Sequence, residues 1–229
     1  MKTARVVFAV LFVILMPLVL LLTDVQLVAY DRDYYRTEYD KYGIPEHIGM
    51  SMDNLMESTE QLLLYLENKR DDLNFKAPFN HDEEEFFSPR DKLHMIDVRG
   101  LFVKGHLFRN ISLIYIAIFI MLLLGKKPFR NQLRKLARYG IAVSAAGIAP
   151  VIVLIILMKV DFYRYFTVFH EIFFTNDLWL MDPAADRLIN IFPQDFFTDM
   201  AFSISYLYIA EMAAILICSL IALKLVKSD

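Results

Sequence analysis

Four runs of this chain stay apolar for longer than a soluble fold can use. Val6 to Leu22 is almost unbroken and continues through Val25, Leu27 and Val28; Ile111–Leu124, Ile141–Val160 and Ala201–Val226 follow. A helix needs roughly 20 such residues to cross a bilayer, and backbone in lipid must satisfy its own hydrogen bonds. The uncharged part of the second run falls short of that length. Its span must therefore begin near Lys104, which puts Lys104, Arg109 and Asn110 in the outer interface. The expected fold class is an all-α integral membrane protein with four transmembrane helices, over 1–29, 104–125, 141–160 and 200–226. A secretory signal cut near Ala29 is the competing reading of the first run, but a signal core is about 7–15 residues and this run is longer.

The net charge is only −3, yet the charges are sorted along the chain. Lys126, Lys127, Arg130, Arg134, Lys135 and Arg138 crowd the segment 126–140, read here as a basic loop. Lys2, Arg5, Lys224 and Lys227 flank the outermost spans. Basic residues mark the cytoplasmic side, and four spans satisfy all three groups at once. The acidic segment 30–103 and the aromatic segment 161–199 are then expected outside, as a mostly helical extracellular cap. The one cysteine, Cys218, lies in an apolar run, so neither a disulfide framework nor a cysteine metal site is available. No nucleic-acid partner is expected.

Within the first outer segment, Met52–Leu66 repeats apolar residues along one helical face, with Ser51 as its cap. Tyr30, Tyr34, Tyr35 and Tyr42 are expected to anchor the end of the first span. Asp82-Glu83-Glu84-Glu85 reads as a solvated loop. Ser88-Pro89-Arg90-Asp91 starts a helix: Ser caps, Pro takes the first position and Asp91 reaches back as in a capping box.

That helix carries His94 and Asp97 three residues apart, on one face. The other outer segment carries His170 at the head of Phe169–Phe197, a stretch rich in Phe, Asp and Asn that holds the only tryptophan, Trp179. Each histidine lies about ten residues from a span end, or roughly 15 Å of helix. Imidazole titrates near neutrality, so two at one height are worth testing as a proton-handling pair; the alternative is two ordinary interfacial histidines. His170-Glu171 opens like the zinc motif His-Glu-x-x-His, but position 174 is Phe and the motif fails. His94, Asp97 and His170 could hold zinc only if the fold brought them together. There is no nucleophile elbow and no phosphate-binding glycine loop. Glu211 lies deep in the fourth span, either functional or neutral and bonded to Ser144. His47, His81 and His106 have no partner pattern.

His94-Met95-Ile96-Asp97-Val98 and the Phe169–Phe197 stretch resemble the lipoprotein intramolecular transacylase (Lit) family of Gram-positive bacteria. The shared pieces are His-Met-x-Asp-Val before the second span, then Phe-His, Phe-Phe-x-Asn-Asp, an Asp-Pro turn and Pro-x-x-Phe-Phe entering the fourth. Residues 31–85 carry no matching motif. The resemblance implies that His94 and His170 are catalytic. Asp97, Asn176, Asp177, Trp179 and Arg109 are expected to support them, and Phe173, Phe174, Phe196 and Phe197 to wall the pocket. The implied substrate is a diacylglyceryl-modified lipoprotein among membrane lipids. Its sn-2 acyl chain would move to the α-amine of the N-terminal cysteine, with no metal, cofactor or acyl-enzyme. A non-enzymatic membrane binding module and a metal-dependent lipid hydrolase are the readings from other classes.

Overall fold

The computed structural model describes residues 2–79, 82–125 and 128–226. The elements in order are α1 (Lys2–Ala29), α2 (Arg32–Lys41), α3 (Ile44–Ile48), α4 (Met52–Leu66), β1 (Lys76–Phe79), β2 (Asp82–Glu85), α5 (Pro89–Leu124), α6 (Phe129–Val160), α7 (Phe162–Phe173), α8 (Leu188–Ile191) and α9 (Gln194–Leu225). They divide into two compact units. The first is Met1–Gln26, His106–Lys159 and Phe202–Asp229; the second is Leu27–Gly105 and Val160–Ala201.

The first unit is the membrane part. Four helices, within α1, α5, α6 and α9, are long and apolar enough to span. Their large exposed side chains include Val6, Ile14, Leu107, Ile114, Val153, Ile156 and Ile217, an apolar surface suited to lipid. Inward, α6 meets its neighbours at two glycines seven residues apart. A Cβ on Gly140 would strike Ser219, and one on Gly147 would strike Tyr208 Oη and Met212 Sδ with Pro17 at 3.2 Å. Small residues let transmembrane backbones approach this closely. Between them the buried Ser144 hydroxyl donates to the Met212 carbonyl at 3.0 Å. Of the two readings of Glu211, the one that bonds it to Ser144 finds no support here: the Ser144 hydroxyl donates to the Met212 carbonyl instead. The segment 126–140 is also not a loop for most of its length: α6 starts at Phe129, so Arg130, Arg134, Lys135 and Arg138 ride on its first turns.

The second unit has its own core, built on Tyr35, Tyr39, Leu55, Leu63, Phe86, Phe87, Ile191 and Phe196. Tyr39 widens the tyrosine group expected from sequence. It is fully buried, bonded to Thr59 Oγ1 at 2.8 Å and stacked on Phe192. Tyr35 and Tyr39 thus serve this core, one helical turn apart on α2. Ser51 caps α4 as expected, accepting from the Asn54 N–H. The acidic run is a strand: β2 pairs antiparallel with β1, Lys76 opposite Glu85 and Ala77 opposite Glu84. Its acids are poor strand formers, but Lys92 pairs with Glu85 and Arg187 with Glu84, and the buried Phe86 and Phe87 pin the strand's end. His81 lies outside the described residues.

Candidate active site

The site lies within the second unit, where α5 and α7 each offer a histidine. The start of α5 is fixed by its capping box. Ser88 N–H donates to Asp91 Oδ2, and Asp91 N–H to Ser88 Oγ, both at 3.0 Å. The same buried carboxylate accepts from the N–H groups of Arg187 and Leu188. Asp91 therefore sets the helix that displays His94 one turn further on. On the other side, the Asp161 side chain caps α7, which delivers His170 in its last turn.

The two imidazoles face each other, ring centroids 6.1 Å apart and planes inclined by 28°. Phe174 touches both, at 5.1 Å from His94 and 5.5 Å from His170. Trp179 stacks on His170 at 4.9 Å, and Phe166 meets it edge-on at 4.4 Å. Both histidines are buried, 6% and 8% exposed. Burial depresses their proton affinity. His94 is pushed down to about 4, by desolvation first and then by the neighbouring His170, with Asp97 opposing and Arg90 adding to the fall. His170 is lowered by desolvation, partly offset by its hydrogen bond to the Phe166 carbonyl. Both rings are therefore neutral at pH 7.

The surroundings of each ring favour one tautomer. His170 Nδ1 lies 2.7 Å from the Phe166 carbonyl oxygen, which can only accept. Nδ1 must carry the hydrogen, leaving a lone pair on Nε2. His94 Nδ1 is buried with no hydrogen-bond partner among the described residues. A bare lone pair is less costly there than an unmet N–H, so the hydrogen belongs on Nε2. One ring thus offers a base and the other a donor.

A strap crosses α5 beside them. Asn176 Nδ2 donates to Asp97 Oδ2 at 2.8 Å, Trp179 Nε1 donates to the Asn176 carbonyl at 3.0 Å, and Arg90 donates to the Asp177 carbonyl. Of the expected supporting residues, Asp97, Asn176, Asp177 and Trp179 come together here. Arg109 lies in the first unit and bonds Asn110. Among the expected pocket aromatics, Phe174 is at the histidines and Phe173 is half-exposed on the outer face of α7. Phe197 reaches Phe166 at 5.1 Å. Phe196 is instead a core residue, 1% exposed among Tyr34, Tyr35, Tyr39 and Phe192, because its register on α9 turns it inward. Glu171 is exposed. Among the described residues no three His, Cys, Asp or Glu side chains converge as a metal set.

Two residues escaped the sequence reading. Arg90 is one turn from His94, a spacing that could have flagged it. Asp24, an acid inside the first apolar run, is fully buried, and neither carboxylate oxygen has a hydrogen-bond partner among the described residues. An ionisable group at membrane depth is itself the signal.

Comparison with known proteins agrees with the motifs. A sequence model for the family described as lipoprotein intramolecular transacylase Lit matches residues 10–197. Similar solved structures include the in meso structure of the membrane-integral transacylase Lit from Bacillus cereus. It is 20% identical, with 98% of each chain covered and a TM-score of 0.82. A histidine-to-alanine variant of that protein is also 20% identical, with 97% of this chain and 95% of that one covered and a TM-score of 0.76. The comparison with curated proteins gives no match. The family match spans most of the chain and takes in both histidine motifs, so this chain belongs to the lipoprotein intramolecular transacylase (Lit) family and is a membrane-integral acyltransferase.

Proposed function

We propose that the protein moves the sn-2 acyl chain of a diacylglyceryl lipoprotein onto the α-amine of its N-terminal cysteine, giving the lyso-form lipoprotein, and that His170 and His94 divide the catalysis. The observation that carries this reading is the pair of facing, buried imidazoles, with His170 Nδ1 committed to the Phe166 carbonyl and its Nε2 left free to act as a base. The amine nitrogen attacks the sn-2 carbonyl carbon and closes an eight-membered ring (carbonyl carbon, N, Cα, Cβ, S, two glyceryl carbons and the ester oxygen). So large a ring is floppy, and holding its ends together is a major part of the task. His170 Nε2 takes one amine proton as the C–N bond forms. His94 Nε2–H donates to the carbonyl oxygen as it becomes an oxyanion. The C–O bond to the glyceryl carbon's oxygen then breaks, and the imidazolium returns its proton to that oxygen. The amide keeps the other amine hydrogen, and both rings end as they began. Phe174 and Trp179 exclude the water that would hydrolyse the ester.

The second unit would work on the outer side of the membrane, with both termini in the cytoplasm; the basic residues flanking the spans support this orientation. The test is mass spectrometry of a lipoprotein's N-terminal peptide from cells with and without the protein. The expected product has one acyl chain on nitrogen and one on the glyceryl group. An unchanged diacylglyceryl peptide with a free amine would reject the reaction, and a lyso-peptide without an N-acyl group would favour a hydrolase.

A further inference from the structure

Arg90, His94 and Asp97 stand on successive turns of one face of α5. The outer two hold the strap 175–180, Arg90 through the Asp177 carbonyl and Asp97 through Asn176 Nδ2. Within the strap, the Leu178 N–H donates to Asn176 Oδ1 at 3.1 Å and the Leu180 N–H to the Asp177 carbonyl at 3.0 Å. The indole N–H closes the turn on the Asn176 carbonyl. Every one of these bonds fixes the same thing: the plane of Trp179 against His170, 29° from parallel.

In the reaction proposed above, His170 gains a positive charge and loses it again. Most of its surroundings oppose that charge. The rings of Phe166, Phe169 and Phe174 enclose it. The titratable groups around it are the neutral His94 on α5, with Arg90 and Asp97 one turn to either side. Asp177 in the strap sits beside Arg90, at 3.8 Å, and the exposed Glu171 is on α7. Asp97 is committed to Asn176. What favours the charge is the Phe166 carbonyl at Nδ1 and the ring faces of Phe174 and Trp179; an aromatic face attracts a cation within about 6 Å of its centroid, and the indole, nearer and flatter against the imidazole, is the stronger of the two.

We propose that Trp179 is a positioning residue that stabilises the His170 imidazolium during acyl transfer, and that Arg90 and Asp97 are the posts that hold it in place. This rests on His170 acting as the base. The test uses the full chain in detergent, a synthetic S-diacylglyceryl lipopeptide and NMR titration of ring-labelled histidine. Trp179→Leu should lower kcat about tenfold with KM little changed. It should also lower the His170 midpoint by about one unit, a tenfold loss of proton affinity. Trp179→Phe keeps an aromatic face and should restore most of both. Arg90→Met loosens the strap but also removes a cation that lowers His94, so its readout is kcat, which should fall by less than in Trp179→Leu, and adding it to Trp179→Leu should lower kcat no further. If Trp179→Leu fails to fold, Arg90→Met and Trp179→Phe still carry the comparison. An unchanged His170 midpoint in Trp179→Leu, or Phe as poor as Leu, would overturn the role of the face while the wild type still makes product. A wild type that makes no lyso-form product would refute the reaction itself.

Discussion

His94 and His170 are neutral at pH 7 because the fold desolvates them, and that has consequences for both activity and stability. In the unfolded chain a histidine titrates near 6.5; folded His94 does so at about 4. Between those values the unfolded state holds a proton that the native state rejects. Stability is therefore fully present above about pH 6.5 and is lost as pH falls toward 4. His94→Gln removes this contribution, so its Tm should fall less between pH 7 and pH 5 than that of the wild type. Equal falls in both would refute burial as the cause. For activity, His94→Ala and His170→Ala should each abolish product while the protein still inserts and accumulates. The double variant should be no worse than either, since groups acting as one unit do not add. Substantial turnover by either stably folded single variant would end the two-histidine mechanism. The identities of both histidines were legible in short motifs. Their tautomers were not, because these depend on the Phe166 carbonyl one helical turn before His170 and on the burial of His94 Nδ1.

At the scale of elements, α5 is the organising piece, and its start was legible because a capping box is written in four consecutive residues. The remaining work of Asp91 was not, since Arg187 and Leu188 reach it from far along the chain. Asp91→Ala should therefore cost more than a cap alone. Loss of the cap is about 1 kcal/mol and each stranded buried N–H about 1–3, so thermal unfolding should show a loss well beyond that of Ser51→Ala, which caps α4 only. Similar losses in the two would mean that the contacts at 187 and 188 carry no weight. For β2, the opposite outcome is expected. Glu83→Ala and Glu84→Ala should leave activity nearly intact, because Glu84 meets only Arg187 at 3.5 Å on an exposed edge. A loss above about tenfold, or roughly 1.4 kcal/mol of barrier, would place this hairpin in substrate binding.

For the whole molecule, the sorted charges predict which ends of the spans face the cytoplasm. Cysteines at Asp53 and Asn131, both exposed, in a Cys218→Ala background should react differently with an impermeant thiol reagent in intact cells. Position 53 should label and position 131 should not; equal labelling would refute the topology. Hydropathy runs continuously along the chain, so the sequence by itself determined that there are four apolar helices long enough to span, and local capping residues determined the helix starts at Ser51 and Ser88. The same holds for the two histidine motifs, each of which occupies only a few neighbouring residues. Contacts between distant residues obey no such local pattern. Only the tertiary structure decided that acids at 82–85 pair as a strand, that Phe196 is core while Phe174 lines the histidines, and that Ser144 bonds Met212 rather than Glu211. It also decided that Arg90 and Asp97 hold a strap arriving about eighty residues later in the chain. In each case a side chain's partner is set by which surface packing turns toward it, and spacing along one helix or strand does not encode that.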